Sequence, residues 1–236
     1  MRRQSGAHEL LDGELEPRTL EANLRDLARV NRLMGGAALS WRALEPMLAH
    51  DLTPPLRLLD VGTGAADIPR TLLRQAQRRQ LQLLVVGTDV RPEIVEVAKS
   101  PGDGAALEIR LAVPDRLAEP DDAFDVAHAS LVLHHLEPPA ATELLREMAR
   151  VASRAVIVND LDRGWTWWVG AWVLAHATTA NRYTRHDAPL SVRRAYRPAE
   201  VVEMAAAAGL REVARYAARP PYRYALVFER SGSARG

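Results

Sequence analysis

The feature that most constrains this chain is a short apolar run that ends in closely spaced glycines. The run covers 56–61 and is followed by Gly62, Thr63 and Gly64, and then by helix-forming residues over 66–79. Glycines allow a tight turn and let a ligand approach the backbone closely. Because ligands in open α/β sheets bind beyond the carboxyl ends of the strands, this segment predicts a ligand site at the turn.

Similar apolar runs alternate with helical patterns along most of the chain. Six further strands are predicted at 83–89, 107–111, 124–130, 155–158, 211–216 and 222–229. Continuous apolar strands separated by amphipathic helices indicate a parallel sheet covered on both faces. The last two strands are too close in sequence for a parallel crossover, so they are predicted to pair antiparallel. We therefore expect an α/β fold with a Rossmann-like, seven-stranded, mostly parallel sheet and an antiparallel last strand.

The residues before this pattern are predicted to form a helical cap over 1–52. Helices are expected from Pro17 to about residue 34 and over 39–48, and Thr53-Pro54-Pro55 suggests a boundary. The main domain then covers 53–236. Within this domain, the segment 163–196 is too long for an ordinary connection. It is predicted to consist of a tryptophan-rich helix and an Arg/His loop, which together form a lid that closes over the cofactor.

Composition excludes several classes of protein. With 236 residues, 47% hydrophobic and 26% charged, the chain is typical of a globular domain. It has no cysteine, which excludes disulfides, thiolate metal sites and thiol nucleophiles. A net charge of +1 argues against nucleic acid as a partner, and the seven histidines show no metal-ligand spacing. No apolar stretch is long enough to span a membrane, so a cytoplasmic protein is expected. We also expect a monomer or a homodimer.

The identity of the cofactor depends on two acidic residues. Asp89 ends the second apolar run, where a carboxylate can accept two hydrogen bonds from a ribose diol. A dinucleotide enzyme favours glycine three residues after Gly64, but Asp67 stands there and would repel a pyrophosphate. A nucleoside without phosphates fits better. S-Adenosyl-L-methionine is such a molecule, and its ammonium would meet Asp60 or backbone carbonyls.

These motifs resemble those of class I S-adenosylmethionine-dependent methyltransferases, especially the bacterial small-molecule group related to ubiquinone and menaquinone methyltransferases. The resemblance covers roughly 55–229, including Phe124-Asp125-Val126 and the loop over 129–136. Ala66 stands where many members have a third glycine, and the usual adenine-contacting Asp falls at Val113, with Pro114 backbone or Asp115 as substitutes. The resemblance implies a cofactor site formed by Asp60, Gly62, Thr63, Gly64, Asp89, Val90, Val113, Pro114 and Ser130.

The same resemblance suggests catalytic residues. Methyl transfer is an in-line displacement, so the protein need only align the acceptor and help remove its proton. Related natural-product O-methyltransferases have two histidines after the fourth strand and an acid at the end of the fifth. Here these positions are His134, His135 and Asp160. The alternative is that one histidine of the pair only packs or caps the following turn.

The predicted lid supplies candidate acceptor contacts. Trp165 and Trp168 lie at helical spacing, and His186 and Arg193 follow in the same segment. The tryptophans indicate a lid helix packed on the cap, an aromatic wall for a flat or lipid-like acceptor, or contact with a membrane surface. Arg193 is a candidate for binding an acceptor carboxylate, and Asn31 for reaching the methionine carboxylate of the cofactor.

The sequence thus predicts methyl transfer from S-adenosyl-L-methionine to a small-molecule acceptor, by O-methylation of an aromatic or polyketide-like natural product. One alternative is C-methylation of a quinone-type or lipid-like acceptor. Others are an NAD(P)-binding oxidoreductase, a methyltransferase-fold protein without catalysis, and a nucleic-acid methyltransferase. No metal is predicted.

Overall fold

A computed structural model describes residues 1–13, 15–48, 54–99, 104–113 and 116–232. Its strands are β1 (Leu56–Val61), β2 (Leu83–Asp89), β3 (Leu107–Leu111), β4 (Phe124–Ser130), β5 (Ala152–Leu161), β6 (Leu210–Ala217) and β7 (Arg223–Arg230). They form one seven-stranded sheet in the order β3-β2-β1-β4-β5-β7-β6. The neighbouring strands from β3 to β5 pair in parallel, and β7 runs antiparallel to both β5 and β6. The predicted sheet is confirmed.

The strand order reverses at β1, and this reversal positions the site. β1 pairs with β2 on one side and with β4 on the other, so the helices that follow β1 and β4 lie on opposite faces of the sheet. In an α/β sheet this arrangement opens a crevice at the carboxyl ends of the two central strands. The glycine-containing turn after β1 lies at that crevice.

Helices cover both faces of the sheet. They are α1 (Pro17–Leu33), α2 (Gly36–Leu44), α3 (Asp67–Arg78), α4 (Pro92–Ala98), α5 (Pro138–Val151), α6 (Trp165–Thr178), α7 (Arg182–Arg194) and α8 (Pro198–Ala207). Successive residues of β1 enter different cores, because side chains alternate along a strand. Leu59 packs with Leu145 beneath α5, whereas Leu58 packs with Leu72 beneath α3. Burial on both faces explains why the strands have continuous apolar sequences.

The second helix differs from its predicted position. α2 covers 36–44 and is followed by a 3-10 turn over 45–47, whereas the sequence predicted a helix over 39–48. Leu39, Trp41 and Leu44 of α2 belong to the same hydrophobic core as β1. This helix of the predicted cap therefore packs directly on the sheet. The predicted boundary at residues 52 and 53 lies outside the described residues, and the division into domains stays a prediction.

The segment 163–196 also differs from the prediction. The expected Arg/His loop is wrong, because residues 182–194 form α7, which packs against the tryptophan-rich α6. Asn181 caps α7 by accepting a hydrogen bond from the backbone N–H of Tyr183 at 3.0 Å. Within the described part of the chain, no helix has the length and apolar character needed to cross a lipid bilayer.

Candidate active site

A large cavity opens at the carboxyl ends of β1, β2 and β4. Its volume is about 2150 Å³, and it is bounded by the turn after β1, the N-terminal segment 8–12, α1, α6 and α7. Cavities that hold one small molecule usually measure roughly 300–1,000 Å³. The cavity therefore has space for a cofactor and an acceptor side by side.

The turn after β1 brings backbone to the wall of the cavity. Gly62 and Gly64 have φ angles of +67° and +55°, which glycine adopts readily. A Cβ atom at Gly62 would lie 2.6 Å from Cγ2 of Val132, so a side chain is excluded there by packing as well. The backbone N–H of Gly64 donates a hydrogen bond to Oδ2 of Asp89 at 3.2 Å. The acidic residue at the end of β2 thus holds the glycine turn in place.

Asp89 combines burial with access to the cavity. It is only 8% exposed, lines the cavity, and accepts a second hydrogen bond from the backbone N–H of Arg91 at 3.1 Å. Burial raises the pKa of the Asp89 carboxyl above its ordinary value. Each carboxylate oxygen keeps a further lone pair for a ligand hydroxyl. Val90 and Val113 are exposed along the same wall, whereas Pro114 and Asp115 lie outside the described residues.

Three of the predicted cofactor residues in the described part of the chain, Asp60, Thr63 and Ser130, do not line the cavity. The Thr63 side chain is buried, and its hydroxyl has no hydrogen-bond partner; it lies so close to Gly87 that a Cβ atom there would be 2.8 Å from Oγ1. Asp60 is 2% exposed, and its Oδ1 lies 2.6 Å from Nδ1 of His128. The carboxylate of Asp60 is thus engaged in a buried pair beneath the turn, and its predicted contact with an ammonium stays a prediction.

A buried polar network extends from this pair. Ser40 Oγ on α2 lies 2.8 Å from His128 Nε2, and Asn159 donates to the same hydroxyl at 2.7 Å. Arg223 on β7 in turn donates from Nε to Oδ1 of Asn159 at 2.6 Å. The network, including Asp60, connects α2 to four strands, β1, β4, β5 and β7. Its members are far apart in sequence, and no local pattern indicates it.

Arg223 brings a positive charge to the cavity that the sequence analysis missed. The side chain is 2% exposed, lines the cavity, and donates to Asn31 at 3.1 Å and to Ser130 at 2.7 Å. Asn31 and Ser130, both predicted near the cofactor, are therefore brought together by a residue on β7. Asn31 also hydrogen-bonds to Asp67, although burial still raises the pKa of that carboxyl.

The predicted catalytic residues meet at the other side of the cavity. His134 Nδ1 lies 2.7 Å from Oδ1 of Asp160, and both residues are buried. Asp160 also accepts hydrogen bonds from the backbone N–H groups of His134 at 3.3 Å and Leu161 at 2.7 Å. Burial opposes ionisation, but the adjacent imidazole of His134 lowers the pKa of Asp160 below its ordinary value. Because Asp160 orients the Nδ1 side of the ring, Nε2 is left for another partner.

The N-terminal segment 8–12 supplies acidic residues that the sequence did not predict. Asp12 Oδ1 lies 3.1 Å from His135 Nδ1. Burial alone would raise the pKa of Asp12, but the contact with His135 outweighs that effect and lowers the pKa below its ordinary value. Glu9 accepts a hydrogen bond from Ser191 Oγ on α7 at 2.8 Å. Glu9, His134 and His135 each place one ligand atom within 4.8 Å of the others, a set that could hold a metal ion.

The four predicted acceptor residues do not line this cavity. Trp165 is 65% exposed, and Trp168, His186 and Arg193 surround a separate shallow depression. Instead, α6 faces the cavity through Trp167, whose ring lies edge-on to Tyr222 at 6.4 Å between centroids. Other apolar residues of α6 in the wall are Val169, Gly170, Val173 and Leu174.

Comparisons with known proteins agree with this geometry. Residues 58–154 match the family model described as a methyltransferase domain. A demethylmenaquinone methyltransferase from Thermus thermophilus is 36% identical over 99 residues, covering 41% of this chain and 43% of that protein. One from Deinococcus radiodurans is 32% identical over 127 residues, covering 52% and 49%. The match thus spans less than half the length of these curated relatives.

Solved structures show the same fold at low sequence identity. A SAM-dependent methyltransferase from Aquifex aeolicus superposes with a TM-score of 0.62 at 19% identity, covering 91% of this chain and 98% of that one. Human N-acetylserotonin methyltransferase, solved with SAM, gives 0.65 at 12% identity and covers 91% and 56%. Magnesium protoporphyrin IX methyltransferase from Synechocystis, solved with SAH, gives 0.53 at 16% identity and covers 93% and 90%.

Proposed function

We propose that this chain, whose residues 58–154 form a methyltransferase domain of the class I fold, transfers a methyl group from S-adenosyl-L-methionine to an oxygen of a small-molecule acceptor. One observation carries the proposal. The glycine turn with Asp89 and the ring of His134 line the same cavity, which has space for two ligands. A nucleoside-type subsite and a candidate base thus share a single chamber.

The residues of the chain fit this cofactor. The backbone at Gly62 and Gly64 would hold the methionine part, and Asp89 would accept hydrogen bonds from the ribose hydroxyls. Arg223, whose three side-chain hydrogen-bond partners are neutral, attracts the methionine carboxylate. The half-buried carboxyl of Asp67 disfavours a pyrophosphate at the start of α3. When bound, S-adenosyl-L-methionine supplies a methyl group activated by its sulfonium.

His134 is the proposed base. Asp160 accepts a hydrogen bond from the protonated Nδ1 of His134. Nε2 therefore carries the lone pair and removes the proton from an acceptor hydroxyl. His135 assists from the adjacent position, where Asp12 orients its Nδ1. The deprotonated oxygen is then aligned for in-line attack by the walls of the cavity. A positioned base of this kind contributes roughly 10²–10⁴-fold to the rate.

The walls favour an acceptor with a flat or long apolar body. α1 contributes Leu20, Leu24 and Leu27, and α6 adds the apolar side chains named above. An aromatic or polyketide-like hydroxyl compound suits this lining. A second candidate is C-methylation of a quinone-type acceptor. It is favoured by the similarity to proteins named demethylmenaquinone methyltransferase.

Release of S-adenosylhomocysteine over a panel of phenols, quinols and amines tests the reaction, and mass spectrometry with NMR of the product identifies the methylated atom. We expect His134→Ala to lower turnover by about 10²–10⁴-fold while calorimetric affinity for S-adenosyl-L-methionine changes little. His176→Ala, an exposed histidine on α6, is the matched control. Binding of NAD(H) in place of S-adenosyl-L-methionine would refute the proposal, as would unchanged turnover in both His134→Ala and His135→Ala.

A further inference from the structure

We propose that Glu9, His134 and His135 form a binding site for one divalent cation of the zinc class. Glu9 Oε1 lies 3.7 Å from His134 Nε2, and Oε2 lies 3.9 Å from His135 Nε2. Two imidazole nitrogens and one carboxylate are a ligand set of catalytic zinc sites, in which a fourth position stays open. All three residues line the cavity, so that open position faces the proposed acceptor.

The spacing of the ligand atoms fits a tetrahedral ion. Ligands bound at about 2.0–2.1 Å in a tetrahedral arrangement lie about 3.4 Å apart. The distances of 3.7 and 3.9 Å involve the two different oxygens of Glu9, and one ligand atom from each of the three residues lies within 4.8 Å of the others. A small rotation of the Glu9 carboxylate would close the difference, because its backbone is part of a short segment and not of the sheet.

The outer partners of the two rings give an independent reason for a metal site. Each histidine presents Nδ1 to a carboxylate, His134 to Asp160 at 2.7 Å and His135 to Asp12 at 3.1 Å. Both Nε2 atoms are thereby turned toward Glu9. Carboxylate–histidine pairs of this kind fix the tautomer and increase the basicity of metal-binding rings. A single catalytic base requires one such pair, but here there are two.

The charge around Glu9 also favours a cation. Glu9 is 6% exposed, and its carboxylate accepts a hydrogen bond from Ser191 Oγ at 2.8 Å. Asp12 and Asp187 add further negative charge. Arg194, itself 4% exposed, supplies one positive charge that these carboxylates share, with Nη1 3.9 Å from Glu9 Oε1 and 3.2 Å from Asp12 Oδ2. A bound cation would offset the cost of burying these carboxylates together.

The cation would change how the acceptor loses its proton. This catalytic role rests on the proposed methyl transfer, whereas the binding of the cation does not. When the acceptor oxygen occupies the open position, a metal–oxygen bond forms and lowers the pKa of the hydroxyl. The O–H bond then breaks and its proton passes to water. In this loaded state His134 and His135 serve as ligands, and in the cation-free protein His134 takes the proton itself.

Calorimetric titration of chelator-stripped protein with Zn²⁺ tests the site. We expect one ion per chain, and a loss of affinity of at least tenfold in Glu9→Gln and in His135→Asn. Asp12→Asn, which alters the outer partner of His135 and an acceptor for the backbone N–H of Glu9, should weaken binding by about 10–100-fold. Glu96→Gln and His176→Asn, both exposed and neither part of the cavity wall, are matched controls and should bind as the unmodified protein does. Unchanged affinity in Glu9→Gln, or a loss in His176→Asn, would overturn the proposal.

Cobalt provides a readout that needs no substitution. The unmodified protein loaded with Co²⁺ should show the intense visible absorption of a four-coordinate ion, and a weak six-coordinate spectrum would overturn the proposed geometry. Thermal unfolding and affinity for S-adenosyl-L-methionine verify that each variant is folded. If stripped and Zn²⁺-loaded proteins methylate at equal rates, the catalytic part fails but the proposed function stands. If Zn²⁺ binds and S-adenosyl-L-methionine does not, the function fails but the metal site stands.

Discussion

Replacing Asp89 with asparagine should weaken cofactor binding by about 30- to 140-fold. A hydrogen bond to a charged group contributes about 1.5–3 kcal/mol, against about 0.5–1.5 kcal/mol for a neutral one. Asp89→Asn keeps the shape of the side chain but removes its charge from two ribose contacts. The loss is therefore about 2–3 kcal/mol in total, and about 1.4 kcal/mol corresponds to a factor of ten in affinity.

The same substitution should have little effect on folding. Burial raises the pKa of Asp89, so at neutral pH the folded state holds the ionised carboxyl less favourably than the unfolded state does. Ionised Asp89 thus opposes folding above its unfolded pKa, and a neutral amide removes that cost. The amide also loses an acceptor for the backbone N–H of Gly64 or Arg91. The two effects oppose one another, and we expect the midpoint of thermal unfolding to shift by less than about 4 °C.

Isothermal titration with S-adenosyl-L-methionine, together with a thermal melt, measures both quantities. Asp121→Asn is the matched control, because the Asp121 side chain is 76% exposed and contacts Arg150 away from the cavity. It should leave affinity unchanged. If Asp89→Asn binds the cofactor as tightly as the unmodified protein, Asp89 does not bind the ribose. If affinity and stability collapse together, the carboxylate acts by holding the turn.

Three further outcomes follow from the same structure. Because the pKa of Asp89 is raised, affinity for S-adenosyl-L-methionine should fall on acidification at a pH above 3.8, and a titration of Asp89→Asn should lack that step. Gly62→Ala should lower the free energy of unfolding by about 1–3 kcal/mol in a denaturant titration, because the new Cβ meets Val132 and the backbone has a positive φ. An unchanged unfolding midpoint would mean that the turn relaxes to accept the side chain. Leu145→Ala removes a fully buried side chain and should cost about 2–5 kcal/mol in the same assay, with affinity for the cofactor retained.

The sheet could be predicted from the sequence because its strands are buried on both faces. β1 to β4 begin and end at the predicted residues, since each is an apolar run bounded by turn-forming residues. α7 could not be predicted, because its arginines, histidine and proline form a polar pattern typical of a loop. Its stability comes from the Asn181 cap and packing on α6, which are not local sequence signals.

The site divides in the same way. Gly62, Gly64 and Asp89 belong to short motifs in which neighbours in sequence are neighbours in space. Glu9 and Arg223 reach the cavity from distant parts of the chain, and nothing around them in the sequence distinguishes them from other charged residues. Their role depends on which carboxylates and rings the fold brings beside them.

The contact between Glu9 and Ser191 sets an order for biosynthesis. A ribosome makes Glu9 long before it makes α7, yet Glu9 is held by Ser191 and lies beside Arg194 of that helix. The part of the chain made before α7 supplies only some of the contacts of the segment 8–12, such as those of Asp12 with His135 and of Leu11 with Arg91. The chamber can be completed only after translation has passed α7, so a nascent polypeptide stalled before that helix should already contain the glycine turn but not the finished acidic wall.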